Sequence, residues 1–181
     1  MCRYPSGPNR NRGMTAVELL FTMAIAGLVL ALAVPNFRDF IQNNRAAEEA
    51  NALVGALAVA RSEAVTRGIP VSVCSSADNA TCADDPDWST GWIVFTDVNA
   101  PLGAVDDGVT PDTVLRALPA LRNGSELTAD ANFVSYGANG FLSNGAAVTF
   151  DLDIPECTGN HNRTITVNLQ GRGAVANTAC D

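Results

Sequence analysis

Gly13-Met14-Thr15-Ala16-Val17-Glu18-Leu19-Leu20 opens a stretch that stays almost wholly apolar as far as Val34 and then meets Pro35. Of the 21 residues at 14–34, only Thr15, Glu18 and Thr22 are polar. At ~1.5 Å of rise per residue a helix of this length spans roughly 30 Å, the thickness of a bilayer core. The preceding 13 residues carry Arg3, Arg10 and Arg12 and no acid, which sets the N-terminus on the cytoplasmic side by the positive-inside rule. A secretory signal peptide would place its small-residue cleavage site after the apolar run. Here the small residue, Gly13, comes before it, so a cut there retains the membrane segment. Glu18 is the anomaly, because a carboxylate at the bilayer centre costs about 2.5–3.5 kcal/mol on insertion scales. An intramembrane acid without a local cation is a functional candidate; the competing reading is a residue snorkelling to the headgroups.

The rest of the chain narrows the class further. It has 181 residues, 11 cations that are all arginine, 19 acids, a formal charge of −8 and one histidine. One modest domain fits this length. An acidic balance argues against a nucleic-acid coat, which depends on Lys and Arg neutralising phosphates. An apolar share of 47% excludes disorder by composition. No nucleophile elbow, phosphate loop, zinc helix motif or dinucleotide fingerprint is present. His161 lies in a turn-like stretch between Asn160 and Asn162. The reading is therefore non-enzymatic and calls for no cofactor.

Beyond Pro35, Phe37, Phe40, Ile41 and Asn44, then Leu53, Val54, Leu57, Ala58, Arg61, Ala64 and Val65, recur at three- and four-residue spacing. An amphipathic helix is predicted to resume after the proline and to lay the face of its later half on a globular head. Arg67, Gly68 and Pro70 mark its end: a cation for the negative terminus, a left-handed cap and a residue that forbids continuation. Strands are predicted over 69–74, 91–96, 113–118, 133–136, 147–152 and 163–169, where apolar, β-branched and aromatic residues cluster. Asp107-Gly108, Asn123-Gly124, Asn139-Gly140 and Asn144-Gly145 are turn signals between them. The expected class is α+β: a long N-terminal helix, part membrane and part amphipathic, packed on a small, mainly antiparallel β head.

The opening stretch resembles the class III signal of type IV pilins and type II secretion pseudopilins. The resemblance implies that a prepilin peptidase cuts after Gly13 and that Met14, the new terminus, is methylated. It also implies that Glu18 pairs with the terminal amine of a neighbouring subunit, and that Gly27 and Pro35 loosen the helix. Met14 stands where phenylalanine is usual, and Ala16-Val17 where Leu-Ile is usual. Further along, three stretches resemble the GspH/FimT-like minor pilins and pseudopilins: residues 60–67 (ARSEAVTR), 71–76 (VSVCSS) and 88–97 (WSTGWIVFTD). Residues 113–116 (TVLR) fit as well.

The implied organisation is a cleaved leader at 1–13, a stem helix at 14–67 with its transmembrane part at 14–34, and a periplasmic head at 68–181. The implied partners are other pilins or pseudopilins, the prepilin peptidase and the inner-membrane assembly platform. The chain would sit in the inner membrane as a single-pass protein and join a filament. The favoured function is a minor pilin at or near the tip of a type IV pilus that primes assembly. The alternative is a pseudopilin of a type II secretion system, and the third reading is a DNA-binding minor pilin for transformation.

Loss of the leader removes Cys2 and leaves Cys74, Cys82, Cys157 and Cys180, an even set that suggests two disulfides in an exported domain. Three pairings exist. The pairing of nearest neighbours, Cys74–Cys82 and Cys157–Cys180, is favoured, and zinc is the rival without a C-x-x-C pair to support it. Eight arginines then face 19 acids, a formal −11. Asp97-Val98-Asn99 opens like a calcium loop, with Asp106, Asp107 and Asp112 following. Pro101 displaces a ligand and no glutamate closes the loop, so a solvated acidic loop is the favoured reading. Arg163 and Arg172 occupy the stretch through which some family members bind DNA, but Ala174 replaces a second arginine of that pattern. They are expected instead to be surface residues pairing with acids. Trp88 and Trp92 suggest either a carbohydrate-stacking patch or packing against the stem.

Overall fold

The structure, a computed structural model, describes residues 14–99, 101–106, 110–122 and 124–180, with the side chains of Pro35 and Asn36 set aside. The leader with Cys2, its three arginines and Gly13 lies outside the described residues, as do Asp107, Gly108 and Asn123. Among the described residues one helix, α1 (Ala16–Arg67), is followed by eight strands. The chain forms two compact units, with the boundary in sequence between Arg38 and Asp39.

The first unit is the start of α1. Thr15 caps it: its Oγ1 accepts the Glu18 backbone N–H at 3.3 Å, and its carbonyl accepts from Leu19 N at 3.1 Å. Thr15 and Glu18 thus stand in the spacing of a capping box. Thr22 returns its hydroxyl to the Leu19 carbonyl at 2.8 Å. The helical assignment continues across Gly27 and Pro35.

The second unit begins inside α1. Ala46, Ala50, Leu53, Leu57, Ala60 and Ala64 are all buried, at alternating steps of four and three, and so form one stripe facing the sheets. Four of the six are alanine, which lets the helix axis approach closely. The helix stops where the sequence predicts: Gly68, at φ +68°, donates to the Ala64 carbonyl at 2.9 Å. In the last turn the Arg67 guanidinium meets Glu63 at 2.6 Å.

The strands are β1 (Val71–Ser75), β2 (Gly91–Thr96), β3 (Val114–Pro119), β4 (Glu126–Ala129), β5 (Phe133–Tyr136), β6 (Val148–Asp153), β7 (Asn162–Val167) and β8 (Gly173–Thr178). They build two four-stranded sheets, β3-β2-β1-β5 and β4-β6-β7-β8, antiparallel throughout. β1 and β2 are buried at every position. Gly91 opens β2 at φ +106°, where a Cβ would come within 2.6 Å of the Leu118 carbonyl. Only glycine fits there.

Six strands lie where the sequence places them, with ends displaced by at most two residues. β4 and β8 are additional. β4 has four residues of which only Leu127 is buried, and β8 is a run of small residues that are exposed or half-exposed. β4 (ELTA) alternates, but over only four residues, and β8 lacks the hydrophobic alternation that marks a half-buried strand. β8 exists through its pairing with β7, from Asn162↔Thr178 to Val167↔Gly173.

Both tryptophans are in the core rather than on a stacking patch. Trp88 meets Phe150 edge-on, with ring centroids 4.9 Å apart at 87°, and its Nε1 donates to the Ala131 carbonyl at 3.2 Å. Trp88→Ala is expected to destabilise the head by about 3–5 kcal/mol. Leu169→Ala, at an exposed position, should stay within about 0.5 kcal/mol. Denaturant melts of the two variants measure the contrast.

Candidate functional site

Every side chain at 14–34 is exposed, including twelve large apolar ones. The helix is long and apolar enough to cross a membrane, with a mean hydropathy of 2.4 over 18 residues, none of it buried in the protein. Glu18 is the acid of its first turn. A carboxylate there is favoured by the positive helix end, a local effect in addition to any role in assembly. A Cβ at Gly27 would meet nothing within 4 Å, so no close contact requires that glycine.

The structure joins Cys74 to Cys82, Cα atoms 5.6 Å apart, and Cys157 to Cys180, Cα atoms 5.8 Å apart. The first bond closes a loop whose acids serve its own backbone. Asp78 accepts from Thr81 N at 2.8 Å, Thr81 Oγ1 at 2.7 Å, Ala80 N at 2.9 Å and Ser76 Oγ at 3.1 Å. These bonds, those from Thr81 foremost, hold its carboxyl well below the usual carboxylate range. Asp85 and Asp87 likewise accept from Asp87 N at 2.9 Å and Ser89 N at 2.8 Å. The second bond ties down the chain that follows β8.

The loop after β2 uses its acids in the same way. Asp112 accepts from Val98 N and Asp106 N, both at 3.2 Å, and Asn99 donates to Asp106 at 2.7 Å and to the Thr110 carbonyl at 2.9 Å. Asp97 is fully buried; its Oδ2 accepts from Ser72 Oγ and, at 2.8 Å, from Gly103 N. Among the described residues no group of three or more His, Cys, Asp or Glu side chains is placed to hold a metal ion.

Arg163 departs from expectation. It is 5% exposed and, among the described residues, pairs with no acid. Its Nη1 donates to the carbonyls of Asn160, His161 and Asn162, and its Nη2 to Asn43 Oδ1 at 2.6 Å, which pins the turn before β7 to α1. Arg172 is exposed in the turn between β7 and β8, its N–H on Asn168 Oδ1 at 3.0 Å. The two arginines stand at opposite ends of the β7–β8 hairpin, roughly 15 Å apart at the rise of a strand. They do not form one phosphate-binding patch.

Burial pushes the Asp97 carboxyl up, the charges of Asp112 and Asp106 add to this, and the Ser72 and Gly103 donors oppose it. The folded protein therefore holds that proton more tightly than the unfolded chain. Its contribution to stability is full below about pH 4, the unfolded carboxylate value, and is lost as pH rises through the folded one. Asp97→Asn should raise the melting temperature at pH 7 by roughly 2–4 °C, with the gain vanishing towards pH 3. A difference that stays constant from pH 3 to 8 would contradict this origin.

The fold has counterparts of known kind. The type IV minor pilin FimU of Pseudomonas aeruginosa superposes with a TM-score of 0.53 at 24% identity, over 77% of this chain and 92% of that one. A second crystal form of FimU gives 0.50 at 25% identity, over 72% and 90%. The type IV major fimbrial protein FimA of Dichelobacter nodosus is 24% identical over 129 residues, 71% of each chain. Residues 49–171, about two-thirds of the sequence, match the family described as type II transport protein GspH. The long helix, the antiparallel head and this match together place the chain in the GspH family of minor pilins and pseudopilins.

Proposed function

We propose that the chain is a structural subunit at or near the tip of a type IV pilus, where it primes filament assembly. The observation that carries this reading is the uncovered apolar helix with one acid in its first turn, on a head of the GspH family. The prepilin peptidase removes residues 1–13 after Gly13, and Met14 becomes the methylated terminus. The subunit then waits in the inner membrane with its head in the periplasm. In lipid, the Glu18 carboxylate and the new terminal ammonium each bear a desolvation cost alone. A neighbouring subunit supplies each with its opposite charge, so assembly recovers what the free subunit bears. Gly27 and Pro35 let the stem loosen during packing.

The likeness in fold to FimU and the curated FimA relatives favour the pilus. The family's description as a type II transport protein favours a second reading, a pseudopilin of a secretion system. Deletion separates them: loss of twitching motility supports the first, loss of secreted hydrolases the second.

Glu18→Ala should insert and be processed normally yet fall at least about tenfold in sheared filaments, judged by immunoblot. Wild-type incorporation would remove Glu18 from assembly. Mass spectrometry of the membrane-extracted protein should find a methylated Met14 at the N-terminus, and Met1 there in a strain without the peptidase. Recovery of the wild-type protein from the cytosol, or with Met1 retained, would overturn the membrane-subunit reading.

A further inference from the structure

A groove of about 490 Å³ lies between residues 41–52 of α1 and the chain leaving β3 at 118–122. That size is typical of ligand sites. Ile41, Ala52, Leu118 and Leu121 give it apolar walls, and Glu49 and Trp92 also line it. Arg45 fixes the walls to each other: its Nε meets Glu49 Oε1 at 3.2 Å, while its Nη2 donates to Ser125 Oγ at 2.6 Å and to the Arg122 carbonyl.

Two polar atoms are left over. Trp92 is 1% exposed; among the described residues its Nε1–H has no acceptor and Glu49 Oε2 has no donor. Buried groups without partners are uncommon and costly. Trp88, the other indole of this core, does have its acceptor. Both residues line the same groove, their unused donor and acceptor lying just beneath its surface.

We propose that the groove receives an extended peptide segment of a different pilin subunit. An apolar side chain of that segment seats between Ile41 and Leu121, a carbonyl accepts from Trp92 Nε1, and an N–H donates to Glu49 Oε2. The inference rests on the filament reading above. A neutral amide fits best: an anion would face Glu48 and Glu49, and a cation would face Arg45, Arg122 and the indole N–H. The segment is extended because the peptide groups of a helix interior are already bonded to one another. The source is a filament partner because Ile41 also belongs, with Phe40, to the exposed apolar face of the stem, at 50% and 61% exposure. A second copy would bring the same mature charge of −11 and is disfavoured by repulsion. Trp92 Nε1 and Glu49 Oε2 are shielded in the free head, so docking involves side-chain shifts of the kind common at interfaces.

The test places the photo-crosslinker p-benzoylphenylalanine at Leu121 of the full-length chain, in cells making filaments, and maps the adducts by mass spectrometry. The expected adduct is a non-helical segment of another pilin's head. Trp92→Phe, which removes the N–H, should lower its yield about tenfold. Ala52→Phe, which fills the groove from α1, should abolish it while the protein still enters filaments. Adducts on a neighbour's stem helix, on lipid, on a second copy or on exported protein would overturn the proposal. So would the absence of an adduct from protein present in the filament fraction, or a yield that Ala52→Phe leaves unchanged. Absence of the wild-type chain from filaments would instead overturn the filament reading, and this inference with it.

Discussion

An exposed apolar helix is the constraint on which the rest of this protein depends. Residues 14–34 offer large side chains to the surroundings on every side, and no described part of their own unit covers them. At about 25 cal/mol per Å² of apolar surface, leaving such a segment in water is prohibitive. Lipid satisfies its side chains, and another helix can do so equally well, since hydrocarbon and Leu-rich surfaces are alike to it. Either surrounding therefore meets the apolar demand of this segment. Glu18 is the one acid among the residues at 14–34.

The head solves a separate problem: how to hold a helix rigidly while leaving its other faces free. A stripe rich in alanine lies along the sheets, and larger side chains from the strands, with Trp88 and Phe150 at right angles, fill the space that the alanines leave. Close approach through small residues commits little of the helix circumference to the core. Arg163, Arg45 and Arg61 add polar ties from the head to α1 through Asn43, Ser125 and the Gly140 carbonyl. Cations in a mostly acidic chain are thus used as internal clamps. Tyr136, pushed up to about 12 by burial despite nearby Arg61, is another polar residue enclosed in this packing.

Several of the acids that set the net charge are absorbed locally. Asp78, Asp85, Asp87 and Asp112 accept backbone N–H groups in loops that have no ladder to satisfy them. Such loops resemble metal sites in sequence because both need several oxygens in a short span. Their difference is directional: in a turn the oxygens point at separate amides, and in a metal site they converge.

Sequence by itself determined the stem, its end at Gly68, the α+β class and six of the eight strands. Each of these is a local property, set by periodicity, apolar length or the dihedral freedom of one residue. Pairing in space decided the rest. β8 has no hydrophobic pattern and exists because β7 presents a free edge. Arg163 looked like a surface cation because its short-range neighbours are polar, yet Asn43, 120 positions earlier, draws it inside. The groove joins α1 to the chain beyond β3, and its lining residues Glu49 and Trp92, each with a polar atom unpaired among the described residues, come from segments that no local pattern connects. Burial and the satisfaction of hydrogen bonds are properties of that whole arrangement, so they emerge only when the chain has closed on itself.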